Sequence, residues 1–162
     1  MYVPEDRGGY NENLDPTKRR GFTFASSFLL TNNWRLNAAY DFVQAVFSSG
    51  NYAGKDMPFV AENNWRLSST YCFADFWQVY VEGIYTGQRY PINDVANRTP
   101  PLASFTMYNF NLSYSKPHYE VAFRVNNLTN KLHFEYVVVT GNKFAYYPAA
   151  GINALLTLSV RP

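Results

Sequence analysis

The sequence predicts an all-β chain, an antiparallel meander of about seven strands, and three observations carry that reading. Apolar and polar residues alternate with a period of two in run after run, the pattern of a pleated strand with one greasy and one wet face. Aromatic residues are in excess: 14 Tyr, 13 Phe and 3 Trp bring them to 19% of 162 residues, and such side chains suit a pleated surface. The runs are separated by clusters of Gly, Asn, Asp, Pro and Ser, which punctuate strands.

Residues 1–20 are polar, rich in Gly, Asn, Asp and Pro, and show no strand period, so they read as a loop ending in Thr17-Lys18-Arg19-Arg20. Alternation begins at Gly21, with Phe22, Phe24, Ser26, Phe28 and Leu30 on one face, and stops at Thr31-Asn32-Asn33. The second run sets Trp34, Leu36, Ala38, Tyr40 and Phe42 against Arg35, Asn37, Ala39, Asp41 and Val43. The third sets Trp65, Leu67, Ser69, Tyr71 and Phe73 against Asn64, Arg66, Ser68, Thr70 and Cys72, and turns at Ala74-Asp75-Phe76. Asn63-Asn64-Trp65-Arg66-Leu67 repeats Asn32-Asn33-Trp34-Arg35-Leu36, but it reads as lying inside a strand where the first copy opens one.

The fourth run pairs Trp77, Val79, Val81, Gly83 and Tyr85 against Gln78, Tyr80, Glu82, Ile84 and Thr86. The fifth sets Tyr108, Phe110, Leu112 and Tyr114 against Asn109, Asn111 and Ser113. The sixth has Tyr119, Val121, Phe123 and Val125 opposite Glu120, Ala122, Arg124 and Asn126, and then breaks at Asn127-Leu128-Thr129-Asn130. The last carries Ala154, Leu156, Leu158 and Val160 opposite Leu155, Thr157, Ser159 and Arg161.

Connections alternate short and long: 31–33 short, 48–57 long, 74–76 short, 91–104 long, 115–118 short, 129–145 long. Aromatics flank the short turns, as in Phe28 with Trp34, Phe73 with Trp77 and Tyr114 with Tyr119. A transmembrane β-barrel wall predicts both features: short turns at one rim, long loops at the other and aromatic girdles at the interfaces. The alternative is a soluble β-sandwich or carbohydrate-binding module, in which the aromatic face is a core and the polar face is wet. A small self-closing barrel of about eight strands needs an even count, and residues 1–20 offer no eighth strand.

The totals exclude several classes. A net charge of +2 gives no footprint for nucleic acid or for a polybasic membrane patch. The single cysteine, Cys72, excludes an internal disulfide framework and a cysteine-rich metal site. No run reaches the roughly 18 apolar residues of a membrane helix, and Met1-Tyr2-Val3-Pro4-Glu5-Asp6 lacks the basic start and apolar stretch of a signal peptide. Mean hydropathy is −0.30, which a barrel wall shares because only every second residue faces lipid. His118 and His133 are far apart in sequence, and Asp41, Glu82 and Glu120 sit on separate runs, so no catalytic pair, metal cluster or cofactor site is expected. Asn97-Arg98-Thr99 and Asn127-Leu128-Thr129 fit the glycan acceptor pattern, which has meaning only in a eukaryotic secretory setting.

Three segments, in order, resemble the C-terminal part of TonB-dependent outer-membrane receptors. Asn13-Leu14-Asp15-Pro16-Thr17-Lys18-Arg19-Arg20-Gly21-Phe22 is similar to a loop-to-strand entry of those barrels. Arg124-Val125-Asn126-Asn127-Leu128-Thr129-Asn130-Lys131, with Tyr136 beyond it, resembles their penultimate strand and the loop it feeds. Tyr146-Tyr147-Pro148-Ala149-Ala150-Gly151-Ile152-Asn153 resembles the approach to the last strand. The end, Ser159-Val160-Arg161-Pro162, departs from the terminal aromatic usual in the family.

The resemblance implies a barrel of about 22 strands with an N-terminal plug in its lumen. It implies a transport protein and not an enzyme: uptake of a ferric siderophore, haem or similar scarce ligand across the outer membrane of a Gram-negative bacterium, driven through the TonB complex. Residues 1–20 would be an extracellular loop at the start of a fragment, and 21–162 the C-terminal strands, without signal peptide, TonB-contacting box or plug. Partners would be outer-membrane lipid, the plug and the remaining strands, with no nucleic acid. Arg35, Asp41, Arg66, Glu82, Arg124 and Arg161 become lumen-facing candidates for plug contact, set against the plainer role of solvating a watery interior. Tyr52, Tyr90, His133, Tyr136, Tyr146 and Tyr147 become ligand-loop candidates, set against simple packing of loop on loop.

Overall fold

The computed structural model describes residues 2–5, 8–11, 14–141 and 143–161; Met1, Asp6, Asn13 and Pro162, on which sequence expectations rested, lie outside them. Along the chain the strands are β1 (Tyr2–Glu5), β2 (Gly8–Asn11), β3 (Thr17–Thr31), β4 (Trp34–Phe47), β5 (Asn63–Phe73), β6 (Trp77–Thr86), β7 (Phe105–Lys116), β8 (Tyr119–Asn126), β9 (Phe134–Thr140), β10 (Lys143–Pro148) and β11 (Asn153–Val160). Seven of them make one sheet in the order β11-β8-β7-β6-β5-β4-β3, antiparallel throughout. The expected meander of seven strands is therefore present, with β9 and β10 inserted as a separate hairpin before the last strand.

Register joins the greasy faces of the individual strands into one. Phe28 lies opposite Leu36, and the row continues through Ser69, Val81, Phe110 and Val125 to Ala154. The next row runs from Trp34 through Tyr71, Val79, Leu112 and Phe123 to Leu156. Directly opposed residues share a face, so every apolar run identified in the sequence lies on the same side of the sheet.

Nothing stacks on that side. Strands contact only their hydrogen-bonded neighbours, and Phe22, Phe24, Leu67, Val81, Tyr108 and Phe123 are all exposed. The β-sandwich alternative requires a second layer over the aromatic face, and among the described residues there is none. The strands β3 and β11 are each paired on one side only, which also excludes a small closed barrel within these residues.

The rings form a belt at each rim. At the short-turn rim, Trp34 meets Tyr71 at 6.0 Å, Tyr71 meets Phe73 at 6.3 Å, Phe73 meets Trp77 at 6.2 Å, Trp77 meets Tyr114 at 4.9 Å and Tyr114 meets Tyr119 at 6.0 Å. Trp34 thus reaches across to β5, and its indole N–H donates to Ser69 Oγ at 2.9 Å, which satisfies a hydroxyl on the apolar face. At the opposite rim Phe22 packs on Tyr40 and Phe42, and Trp65 stacks on Tyr85 at 5.6 Å. The second Asn-Asn-Trp-Arg-Leu copy therefore opens β5, contrary to the sequence reading, and its Trp65 serves the far belt as Trp34 serves the near one.

Two regions read as loop carry strands. β3 begins at Thr17, because Thr17 to Arg20 continue the ladder with Gln44 to Phe47 of β4, and Tyr2–Glu5 pairs with Gly8–Asn11. Charged side chains hid this extension, since residues 17–20 have no apolar alternation to display. The long segment after Asn126 likewise holds the β9–β10 hairpin.

Fully buried side chains gather at the long-connection rim, where Phe47, Val137 and Pro91 are shut away from solvent. Hydrogen bonds there weld the three long connections together. Phe59 N–H donates to Tyr90 O at 2.9 Å, and Asn97 exchanges bonds with Asp56 at 2.8 and 3.0 Å. Ile92 N–H donates to Val137 O at 3.0 Å, and the Asn93 amide bonds both N–H and C=O of Val139. Residues 92–93 thus extend the hairpin as a short third edge.

Gly21 marks the tightest approach in the sheet: a Cβ there would stand 2.1 Å from Phe42 O. Gly21→Ala is expected to push β3 from β4 and cost about 1–3 kcal/mol, read as a lowered urea midpoint for the chain in detergent micelles followed by Trp fluorescence.

Candidate functional site

The polar face is organised by β6. Glu82, only 7% exposed, lies between Ser68 of β5 and Asn109 of β7 in the register. Its Oε1 accepts from Asn109 Nδ2 at 2.8 Å and its Oε2 from the Tyr80 hydroxyl at 2.9 Å. Arg66 and Arg124 approach from either side, each at 3.9 Å, with most of the Arg66 side chain and half of the Arg124 side chain in solvent. Glu82 is thus held by two neutral donors, while Arg124 Nε donates to Asn126 Oδ1 at 2.7 Å and both arginine side chains stay half exposed or more.

The other expected polar-face residues fall on the same side. Asp41 accepts from Thr23 Oγ1 at 2.7 Å, and Arg35 stands in the row with Thr70, Tyr80 and Asn111. Arg161 pairs with Glu120 at 3.2 Å near the short-turn rim. All six residues share one face, but only Arg66, Glu82 and Arg124 form a cluster.

The candidate loop residues divide into local contacts. Tyr136 meets Tyr147 at 5.5 Å and Phe59 at 6.1 Å, while Tyr146 lies on Phe134 at 4.8 Å. His133 packs on Phe105 at 4.8 Å with the rings tilted by 35°. Tyr52 packs back on Phe47 at the end of β4, and Tyr90 contributes its carbonyl to Phe59. The hairpin thus gathers Tyr136, Tyr146 and Tyr147, with His133 at its base.

Several residues that hold the site were not among the site candidates read from the sequence. Asn109 donates to Glu82 and accepts the Asn127 backbone N–H at 2.9 Å, so it links the polar hub to the loop layer. Asn127, 3% exposed and at φ 51°, donates to Lys131 O and Ala150 O and accepts Lys131 N–H, which pins both ends of the hairpin insertion. Asn97 is similarly engaged with Asp56 and Asp94, so both asparagines of the glycan-type triplets serve as turn pins. Asp94 accepts from Arg98 N–H, Thr99 N–H and Thr99 Oγ1 at 2.7–2.8 Å. The one available signal was asparagine in runs that break a strand period.

Arg89 is the other omission. It is 9% exposed, lies over Phe59 at 4.8 Å and Phe105 at 5.5 Å, and donates from Nη2 to Phe134 O at 3.1 Å. Burial lowers its pKa from the ordinary value, and the guanidinium remains charged. Among the described residues no cluster of His, Cys, Asp and Glu suits a metal.

A single sheet with an uncovered apolar face, aromatic belts at both rims and a hydrogen-bonded polar face defines a class: the wall of a transmembrane β-barrel. Residues 1–128 match the family described as TonB dependent receptor-like, beta-barrel, and the chain belongs to that family. Solved structures agree on the fold. The siderophore receptor PiuA from Acinetobacter baumannii superposes at a TM-score of 0.74 with 23% identity, over 88% of this chain and 21% of that one. The ferric yersiniabactin uptake receptor FyuA from Yersinia pestis gives 0.74 at 13% identity, over 88% of this chain and 23% of that one. The copper transporter OprC gives 0.75 at 17% identity, over 97% and 26%. The chain spans 21% to 26% of the length of these proteins. A sequence search of curated proteins returns no significant match.

The geometry ranks the polar contacts. Asn109→Ala strands both Glu82 Oε1 and the Asn127 N–H and is expected to cost about 1–3 kcal/mol, whereas Arg66→Ala, an exposed partner at 3.9 Å, costs under about 1 kcal/mol. Urea titration of the two variants in the same detergent checks the order.

Proposed function

We propose that these residues form part of the wall of an outer-membrane receptor that takes up a scarce ligand, with a ferric siderophore as the ligand class. The observation that carries the reading is the apolar face: a continuous, uncovered surface bounded by aromatic belts has its stable place against lipid. The unpaired edges of β3 and β11 then take further strands of the same wall, because hydrocarbon offers backbone groups no other partner. In a completed receptor the polar face looks into the lumen, where Arg35, Asp41, Arg66, Glu82, Arg124 and Arg161 contact a plug. Tyr52, Tyr90, His133, Tyr136, Tyr146 and Tyr147 belong to the ligand-facing rim, so residues 1–20 start on the extracellular side. Energy comes through a TonB complex acting on the plug, and the host is a Gram-negative bacterium. Supporting the ligand class, PiuA is named a siderophore receptor and FyuA a ferric yersiniabactin uptake receptor. The role is transport, with no catalysis.

The two faces give the test. Val81 stands mid-row on the apolar face and Ser68 is opposite Glu82 on the polar face. Val81→Arg is expected to lower the stability of the chain folded into phospholipid bilayers by about 2–4 kcal/mol, and Ser68→Arg by under about 1 kcal/mol. Equal effects would remove the lipid-facing assignment.

A further inference from the structure

A cavity of about 130 Å³ opens between the connection that enters β7 and the strand base of the hairpin. Its wall carries Arg89, Lys131 and His133, together with Ser104 and the rings of Phe105 and Phe134, and it contains no carboxylate. Three groups able to carry positive charge therefore meet in one small space without a counterion in the wall. The larger neighbouring cavity, of about 420 Å³, is different: Asp56 and Glu62 line it beside Arg89.

Arg89 gives the small cavity its character. The Nη2 of its guanidinium is bound to the carbonyl of Phe134, a wall residue, and Nη1 is buried with no hydrogen-bond partner among the described residues. An orphaned guanidinium nitrogen is costly, because a buried donor forfeits its hydration. The rings of Phe59 and Phe105, 4.8 and 5.5 Å from the guanidinium carbon, pack on the group and cannot accept that bond as an oxygen would. His133 is held by its tilted contact with Phe105 and by the 3.2 Å contact of Nδ1 with Lys131 O, which leaves Nε2 as the ring nitrogen without a partner among the described residues.

We propose that this cavity is an anion subsite that takes a carboxylate of a small ligand. One carboxylate oxygen receives Arg89 Nη1, and Lys131 and His133 close on the other. The aromatic walls favour an acid group borne on a flat or apolar body. The inference deepens the uptake reading, on which it rests for its meaning, by giving the incoming ligand a chemical class: it carries a free carboxylate.

Isothermal titration of the full chain in detergent micelles with sodium benzoate tests this, with benzyl alcohol as the neutral probe. Benzoate is expected to bind and benzyl alcohol to bind at least about tenfold more weakly, the effect of one charge-assisted contact. Arg89→Met is expected to lose benzoate about tenfold, and Lys131→Met, at an exposed residue, about threefold, with both losses shrinking in high salt. Equal affinity for the two probes, no binding of benzoate, or benzoate binding unchanged in both variants would overturn the subsite. Should Arg89→Met fail to fold, Lys131→Met and the salt dependence decide alone. Failure here stays separate from failure of the wall reading: a chain that tolerates Arg at Ser68 but not at Val81 and ignores benzoate loses the subsite only. A chain that binds benzoate with equal costs at both faces loses the wall reading only.

Discussion

Side chains in a strand alternate with a period of two, so the architecture depends on every neighbouring strand keeping its register. A slip of one residue between β5 and β6 would bring Glu82 to the aromatic face and Val81 to the polar one. The six ladders instead keep the apolar rows unbroken from β3 or β4 to β11. Two devices hold that register. The short turns at 32–33, 74–76 and 117–118 leave little slack, and side-chain pairs reach across the ladder on both faces: Trp34 to Ser69 on one, Asn37 to Ser68 and Asn109 to Glu82 on the other.

Stability is therefore distributed unlike that of a sandwich. The middle of the sheet has no buried apolar layer, and tight packing is confined to the long-connection rim. There the chain relies on asparagine and aspartate side chains acting as backbone substitutes. Asn93 mimics a strand for Val139, Asn127 bridges both ends of the hairpin insertion, and Asp94 caps Arg98 and Thr99. Each replaces a ladder bond that irregular backbone cannot make for itself. Long connections built this way become a layer with defined surfaces, which is what a cavity such as that of Arg89 requires.

The legibility of the sequence follows from the same physics. Alternation reports which side of a strand is apolar, so the faces of all seven sheet strands and the side on which Arg35, Asp41 and Glu82 lie could be read directly. It says nothing where neither side is apolar, and so the Thr17–Arg20 extension of β3 was invisible. Nor does it report pairing between distant loops. The hairpin sequence from Phe134 to Pro148 is rich in β-formers and pairs with itself, but its contact with residues 92–93 joins two distant connections. Arg89 was missed for a related reason: a lone arginine in a proline-rich loop reads as solvated, and only the rings of Phe59 and Phe105, brought from two other segments, bury it.

The distribution of charge on the polar face carries the last step. Glu82 is satisfied by Asn109 and Tyr80 before either arginine is counted, and Asp41 is held by Thr23. Glu120 instead takes an ion pair with Arg161 at 3.2 Å, while Arg66 keeps most of its side chain in solvent and Arg124, half exposed, gives its Nε to Asn126 Oδ1 at 2.7 Å. An exposed guanidinium at 3.9 Å adds little to the stability of the sheet. Its planar array of donors is, however, well suited to carboxylates and carbonyls presented from outside. If the sheet needed only internal neutrality, Lys or Gln would serve at these positions. Arginine at these positions therefore leaves N–H donors on the polar face that the sheet's own ladders do not use.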